Sequence, residues 1–267
     1  MVDGGIPKAL VCMQVFLPEL EWTPLEIRRT YLFQRTPDVD LPATLQPLEA
    51  LIGYNFKKKA LLVEAMTHAS YKSGSQSLER FEFLGDAVLD YIVVNAMYRD
   101  AELSHIQMHH LRTSLVNADY LAFLCMEWSI EQEAIDVEPD TSTLDKRGLP
   151  TFKERARKVS LPLWRFLRHA SPRLGAVQTV TADRHKGLRG ELIEAFETGT
   201  QYPWALLARL KAQKFFSDMV ESLLGAIWID SGSLETCTEV VERMGILRYF
   251  RRMLKDGVDA LHPKEAL

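Results

Sequence analysis

The chain has 267 residues, of which 47% are hydrophobic and 25% are charged, a composition typical of a globular protein rather than a disordered or fibrous one. It has no apolar run of about 18 residues and no signal-peptide pattern, so neither membrane insertion nor secretion is indicated. The formal net charge of −4 argues against nucleic-acid binding through bulk charge but leaves room for a local basic track. The three cysteines, Cys12, Cys125 and Cys237, are far apart and fit a reducing compartment, which predicts an intracellular protein of the cytoplasm or nucleus.

Residues 1–20 echo a later part of the chain. Val2–Pro7 and Ile229–Leu234 both have the pattern of a helix end, a tight turn and a new helix, and they share one Asp and one Gly at equivalent positions. The echo alone is also compatible with an ordinary helical extension. Residues 21–45, which contain several prolines, predict a helix and a linker, and regularly spaced apolar residues then begin the main core.

Leu78–Asp90 has apolar residues at helical spacing and predicts one amphipathic helix. Its acids Glu79, Glu82 and Asp86 follow i, i+3 and i+7, so they fall within an arc of about 60° on one face. Clustered carboxylates repel each other and resist desolvation, so this face requires nearby cations or bulk water. Taken alone, the spacing also fits a solvated acidic stripe on a surface helix.

Lys214–Trp228 predicts a second helix, which is apolar almost all round. Lys214, Asp218 and Glu221 lie at i, i+4 and i+7, so the cation and both carboxylates share one face. A simple i, i+4 ion pair between Lys214 and Asp218 is the plain structural explanation of this spacing.

Each of these helices has an internal glycine, Gly85 in the first and Gly225 in the second. A glycine inside a helix costs about 1 kcal/mol relative to alanine and usually marks a close approach of two helices. If the helices cross at these glycines, four acids meet at one point, and such an oxygen-rich cluster suits Mg²⁺ or Mn²⁺. The four acids are Glu82, Asp86, Asp218 and Glu221.

The stretch between the two helices has a strongly uneven charge. Residues 127–140 are acidic and predict a loop, whereas residues 146–173 carry nine basic residues and one acid. Residues 183–204 are hydrophilic and contain several glycines, which again indicates a loop. The basic run fits either a solvated face or a phosphate-contacting surface. The candidate phosphate contacts in it are Lys153, Arg155, Arg157 and Lys158.

The sequence of residues 79–89, Glu-Arg-Phe-Glu-Phe-Leu-Gly-Asp-Ala-Val-Leu, resembles the signature of ribonuclease III almost letter for letter. The second acidic helix is similar to that family's second acidic motif in its Dicer form. Further matching pieces occur in the family's order, and together they cover roughly residues 46–255. The resemblance is nearest to the second ribonuclease III domain of fungal-type Dicer-like proteins. The further pieces are Thr67–Ser70, Leu111–Asn117 and Trp164–Pro172.

The resemblance implies an all-α fold, that of the ribonuclease III endonuclease domain. This domain would span residues 46–257, with loop insertions at about 129–162 and 183–210, and residues 258–267 would form a C-terminal tail. Because Dicer-like proteins carry two such domains in tandem, the resemblance gives residues 1–20 the role of the tail of an upstream ribonuclease III domain.

The implied activity is endonucleolytic cleavage of double-stranded RNA by two divalent ions, Mg²⁺ or Mn²⁺, in Dicer-type RNA processing and silencing. By resemblance, the four acids named above are the metal ligands, and Lys214 lies near the scissile phosphate. Glu79 would act on the ions through water or from across a dimer interface. His68 is expected to order the site through hydrogen bonds, and Arg112 and Asn117 to support it.

Two cut strands require two sites, so the resemblance implies either a homodimer or a partner ribonuclease III domain, with 5′-phosphates and 3′ overhangs on the products. One alternative is a catalytically silent ribonuclease III fold that serves dimerisation or RNA binding. A di-iron carboxylate bundle is a further alternative, but it needs Glu-x-x-His pairs, and neither acidic helix has one.

Overall fold

Helices make up most of the fold, and a two-stranded antiparallel hairpin extends from it. The computed structural model describes residues 15, 25–71, 76–100, 103–144 and 150–265. Before the hairpin come α1 (Leu25–Arg35), α2 (Gln46–Ile52), α3 (Lys59–Ala65), α4 (Glu79–Asp100), α5 (His105–Leu115) and α6 (Ala118–Glu127). The hairpin strands are β1 (Ser129–Leu144) and β2 (Pro150–Pro162). The remaining helices are α7 (Pro172–Thr198), α8 (Trp204–Arg209), α9 (Phe215–Ser231), α10 (Leu234–Met244) and α11 (Ile246–Asp256).

Helix α9 is the centre of the core, because all of its residues except Glu221 and Ser231 are buried. A helix that is apolar all round is stable only when other elements surround it. It packs against α4 so closely that a Cβ added to Gly85 would lie 1.7 Å from the carbonyl oxygen of Glu221. A Cβ added to Gly225 would lie 2.2 Å from the carbonyl oxygen of Phe81. The prediction that the two helices cross at their glycines is therefore confirmed.

The C-terminal end of α9 is anchored by the buried carboxylate of Asp230. It accepts hydrogen bonds from the Tyr54 hydroxyl at 2.6 Å and from the backbone N–H groups of Lys57 and Lys58, both at 2.8 Å. Three donors compensate the carboxylate for the loss of water. Gly232 then ends the helix at φ +70°, a left-handed conformation that glycine adopts without steric cost. Asp230 thus fixes α9 against the loop that leads into α3.

The acidic stretch 127–140, predicted as a loop, is mostly β-strand, so the expectation of a purely α-helical fold is wrong at this point. β1 pairs with β2 from Ser129 opposite Pro162 to Asp140 opposite Thr151. In β1, Ile135 and Val137 alternate with acids, and these acids face basic residues of β2, which favours pairing of the strands. The acidic charge favours a loop when the stretch is considered alone, but opposite basic residues it stabilises the pairing of two strands.

The stretch at 183–210 was also expected to be a loop, but it is helical through Thr198 and again in α8. The buried residues Leu188 and Leu192 lie one turn apart on the inner face of α7, while the hydrophilic residues cover its outer face. The domain boundaries stay a prediction. The segment 1–20 lies outside the described residues apart from Val15. Across the described ranges, every helix is too short or too polar to cross a membrane.

We expect Gly85→Ala to destabilise the protein by about 3 kcal/mol or more, because the new methyl group would overlap backbone atoms of α9 that cannot move aside. The matched control is Gly187→Ala in α7, where an added Cβ meets nothing within 4 Å. The control should be neutral or stabilising by up to about 1 kcal/mol, as alanine favours a helix. Urea unfolding followed by circular dichroism measures both, and equal effects would contradict the close helix crossing.

Candidate active site

The crossing of α4 and α9 brings three predicted metal ligands together. One carboxylate oxygen from each of Glu82, Asp218 and Glu221 lies within 4.8 Å of the others. Glu82 is one turn of α4 before Asp86, while Asp218 and Glu221 are adjacent on one face of α9. Because the backbones touch at this level, the carboxylates of the two helices cannot move apart without breaking the core.

The fourth predicted ligand, Asp86, lies outside this group of three and is exposed. Its negative charge nevertheless acts on Glu221 and is the largest electrostatic influence on the pKa of that residue. Glu79 is also exposed and acts electrostatically on His68. The structure therefore places Asp86 beside the cluster and Glu79 one turn before it.

Lys214 connects the two helices at the cluster. Its Nζ donates a hydrogen bond to Oδ1 of Asp218 at 2.6 Å and another to Glu82 on α4. Desolvation opposes the charged form of Lys214, but its hydrogen bonds to both carboxylates outweigh this effect and raise its pKa. The i, i+4 ion pair is therefore present, and it is part of a bridge between α4 and α9.

The carboxylates of α9 are held at an electrostatic cost. Burial raises the pKa of Asp218, although the hydrogen bond from Lys214 partly offsets it. Burial, followed by the charges of Asp86 and Asp218, raises the pKa of Glu221 to about 8. A site of oxygen ligands that resists full ionisation fits a hard divalent cation, because such an ion would neutralise the repulsion.

His68 lies near the cluster, and burial, followed by the charge of His169, lowers its pKa. Its Nδ1 accepts a hydrogen bond from the backbone N–H of Ser70 at 3.0 Å. This contact orders the His68 ring itself, and a role of His68 in ordering the site stays a prediction. Asp218 and Glu79 act on the same ring electrostatically, so His68 is close enough to sense the charge of the cluster.

Two arginines neutralise other carboxylates around α4. Arg112, predicted to support the site, donates to both oxygens of Asp90 at 2.6 and 2.8 Å. Arg80 pairs with both oxygens of the buried Glu64 of α3, a contact that the sequence analysis missed. The signal was an acid within the apolar stretch Leu61–Ala65, where only a paired carboxylate is stable.

Asn117, the other predicted supporting residue, has a local structural role. Its side-chain oxygen accepts a hydrogen bond from the N–H of Tyr120 at 2.9 Å and caps the first turn of α6. Its amide nitrogen donates to the carbonyl of Ser114 at 2.6 Å and to the hydroxyl of Tyr202 at 2.8 Å. Asn117 therefore fixes the turn between α5 and α6.

The basic residues of β2 are divided between the two faces of the hairpin. Successive side chains of a strand point to opposite faces, so Lys153, Arg155 and Arg157 share one face and Lys158 lies on the other. Arg157 pairs with Asp136 at 2.6 Å, and Lys158 lies 3.3 Å from a carboxylate oxygen of Glu131. Acids of β1 thus offset part of the positive charge, and RNA contact by these residues stays a prediction.

The part of the chain that matches a known protein family is bounded by the same two helices. The sequence model of the Ribonuclease III domain matches residues 79–232, more than half of the chain, from the start of α4 to the end of α9. The chain belongs to the ribonuclease III family. The family membership predicted from the motifs is thereby confirmed.

Relatives within the ribonuclease III family include Dicer-like protein 2 of Pyricularia oryzae, 45% identical over the whole chain, and that of Cryphonectria parasitica, at 46%. The chain spans 18% and 19% of the length of these two relatives. Among solved structures, the nuclease domain of ribonuclease III from Campylobacter jejuni is 22% identical with a TM-score of 0.43, and the match covers 78% of this chain and 99% of that one.

The raised pKa of Glu221 predicts a pH-dependent stability in metal-free solution. Its carboxyl has a pKa of about 8 in the folded protein, against 4.5 for the ordinary group. Between these values only the folded state holds the proton, so the free energy of unfolding falls as the pH rises towards 8. Glu221→Gln should remove this contribution and raise the melting temperature relative to the parent at pH 8 more than at pH 5.

Thermal unfolding in EDTA at several pH values measures this difference. Glu239→Gln, which neutralises an exposed carboxylate on α10, controls for the loss of one negative charge. A constant difference in melting temperature between Glu221→Gln and the parent from pH 5 to 8 would argue against a strained carboxyl group.

Proposed function

We propose that this chain is an endoribonuclease that hydrolyses double-stranded RNA with divalent metal ions. The observation that carries the proposal is the carboxylate cluster of α4 and α9, whose oxygens lie within 4.8 Å of one another. Membership of the ribonuclease III family and the similarity to fungal Dicer-like proteins support the same reaction. The retention of all four acids favours an active enzyme over a silent module.

Glu82, Asp218 and Glu221 would hold the metal, with Asp86 completing the oxygen ligands from the adjacent turn of α4. Bound Mg²⁺ or Mn²⁺ ions, two in our proposal, would supply an activated water and neutralise charge at the leaving oxygen. Lys214 holds a positive charge at the cluster, where it would stabilise charge that develops on the phosphate. Glu79 would act from the edge of the site.

The proposed substrate is double-stranded RNA, recognised by its A-form shape and 2′-hydroxyl groups rather than by base sequence. The products would carry 5′-phosphates and short 3′ overhangs, because two sites cut opposite strands. A role in Dicer-type RNA processing and silencing follows from the relatives named Dicer-like protein 2 and belongs to the proposal.

A second copy, or a partner ribonuclease III domain, would bind the exposed side of α4. Phe83 is 83% exposed, and Tyr91, Val94 and Tyr98 follow it at i+8, i+11 and i+15, on the same side of the helix. Monomeric soluble proteins rarely expose such a continuous apolar stripe. A two-fold pair formed through this stripe would cover it and place two cutting sites in one particle.

Loss of the acids should abolish cleavage of a long RNA duplex in Mg²⁺. We expect Glu82→Ala, Asp86→Ala, Asp218→Ala and Glu221→Ala each to lower the rate by about 10³-fold or more, because the ions lose a ligand that has no substitute. Mg²⁺ should raise the melting temperature of the parent but not of these variants, while Glu239→Ala should behave as the parent. Near-normal cleavage by Glu221→Ala at saturating Mg²⁺ would contradict the assignment.

Phe83→Arg should convert a dimer to a monomer and abolish double-strand cutting, because a charged side chain would be buried at the centre of the pairing surface. Light scattering at micromolar concentration and gel analysis of the products measure the two effects. The matched control is Val180→Arg, which places the same charge at an exposed apolar position of α7. A parent protein that is monomeric and still releases duplex products with overhangs would contradict the pairing.

The two faces of the hairpin allow a sharp test of the proposed RNA contacts. Replacing both Arg155 and Arg157 by Gln should weaken duplex binding and reduce the slope of log K against log salt by about 1.8, or about 0.9 for each lost phosphate contact. Because one duplex can lie against only one face of the hairpin, we narrow the proposed contacts to the face of Lys153, Arg155 and Arg157. Lys158→Gln, on the opposite face, should then leave the slope unchanged. Binding is measured in the Glu221→Gln background, which prevents cleavage. An unchanged slope in the double variant would mean that this face contacts only solvent.

A further inference from the structure

A cavity of about 560 Å³ opens between α6, α7 and the start of α11. None of the acids of the metal cluster lines it. Aromatic side chains form much of its wall, and charged side chains stand at its edge. Its size falls within the range of small-molecule binding pockets. The residues that matter for the argument are Tyr120, Phe196, Glu197, Arg248 and Tyr249.

The wall contains a buried hydroxyl group without a partner. Tyr249 is 7% exposed, and its hydroxyl forms no hydrogen bond with any described residue. The nearby Tyr202, by contrast, donates to the carbonyl of Ser114 at 2.6 Å and accepts from Asn117 at 2.8 Å. Buried hydroxyl groups are normally hydrogen-bonded, and leaving one unpaired is costly. An acceptor that enters the cavity would satisfy Tyr249.

The charged side chains that line the cavity differ in whether they already have partners within the protein. Glu127 already accepts from Arg189 and lies 3.3 Å from His185. Arg252 donates to the carbonyl groups at the end of α7. Arg248, in contrast, is exposed and forms no ion pair within the part of the chain that the structure describes. Its guanidinium is therefore available to an anion.

Phe196 provides the apolar surface of the cavity. It is partly exposed, and its ring packs against Tyr120 at 5.3 Å, Phe123 at 5.1 Å and Tyr249 at 4.9 Å between centroids. These neighbours restrict its orientation, and its partly exposed ring lines the cavity, where the planar ring of a ligand can pack against it. The cavity thus offers a flat aromatic surface, a hydroxyl donor and a cation, which together require a planar, acceptor-rich and anionic ligand.

We propose that this cavity is a binding site for a mononucleotide. The phosphate binds Arg248 at the edge, the base stacks on Phe196, and Tyr249 donates its hydroxyl to an acceptor of the base or sugar. The exposed carboxylate of Glu197 accepts from a ribose hydroxyl. The nucleotide is either free in solution or the 5′-phosphorylated end of an RNA strand, since both present the same chemical groups.

Isothermal titration of the full chain in EDTA tests the site apart from metal-dependent catalysis. AMP and UMP serve as probes, with adenosine and uridine as their phosphate-free counterparts. We expect at least one monophosphate to bind about tenfold more tightly than its nucleoside. Arg248→Gln should remove this advantage and leave nucleoside binding unchanged. Lys255→Gln, which removes the same charge from α11 outside the cavity, should bind as the parent does.

Tyr249→Phe keeps the ring and removes only the hydroxyl, so it should fold normally and weaken nucleotide and nucleoside alike by severalfold. Competition with a short single-stranded RNA, used with and without a 5′-phosphate, distinguishes a strand end from a free nucleotide as the ligand. If only the 5′-phosphorylated strand displaces the monophosphate, the ligand is a strand end; if neither strand displaces it, the ligand is a free nucleotide. No saturable binding at millimolar AMP or UMP, equal binding of nucleosides, or an equal loss in Lys255→Gln would overturn the proposal.

Discussion

The contact between the backbones of α4 and α9 is the constraint on which the rest of the structure depends. With glycine on both sides, no side chain separates the helices, and the carbonyl of Glu221 lies directly against Gly85. This places carboxylates from two helices within 4.8 Å of one another, closer than like charges would settle by themselves. Apolar packing around α9 supplies the free energy that holds them there. The site is therefore a strained electrostatic arrangement inside a stable helical core.

The surrounding charges limit that strain to the cluster. Asp90 and Glu64 are each paired with an arginine through two hydrogen bonds, so their negative charge adds little to the repulsion at the crossing. Lys214 is shared between two carboxylates and compensates only part of their charge. The negative charge that stays uncompensated is located where a divalent cation would bind. Because the neighbouring carboxylates are paired with arginines, the cluster is where a cation would be attracted most strongly in this region.

The sequence predicted the parts of the structure that depend on local spacing. The helical period around Glu82 and Asp218, with one internal glycine in each helix, was sufficient to predict the crossing and most of the cluster. The second partner of Lys214 could not be predicted, because the carboxylate of α4 that its side chain reaches depends on side-chain conformation at the crossing. The position of Asp86 outside the group of three depends on side-chain geometry at the crossing, which spacing does not determine.

The hairpin and the later part of α7 were missed for a different reason. Charge and hydrophilicity favour a loop when each segment is considered alone, whereas pairing brings the acids of β1 opposite basic residues of β2 and stabilises both strands. In α7, the buried Leu188 and Leu192 carried the helical signal among polar residues. In this segment the helical spacing of the apolar residues predicts the structure correctly, whereas the hydrophilic composition does not.

The separation of 132 residues between Lys214 and Glu82 also has a consequence for the order of assembly. During synthesis on the ribosome, α4 emerges long before α9, so the acids of α4 remain apart from those of α9 until α9 has been synthesised. Closing so long a loop costs only slightly more entropy than closing a shorter one, which lets the intervening hairpin and helix be accommodated. Such a non-local contact forms late and slows folding. A nascent chain therefore lacks the complete carboxylate cluster until its core has closed around α9.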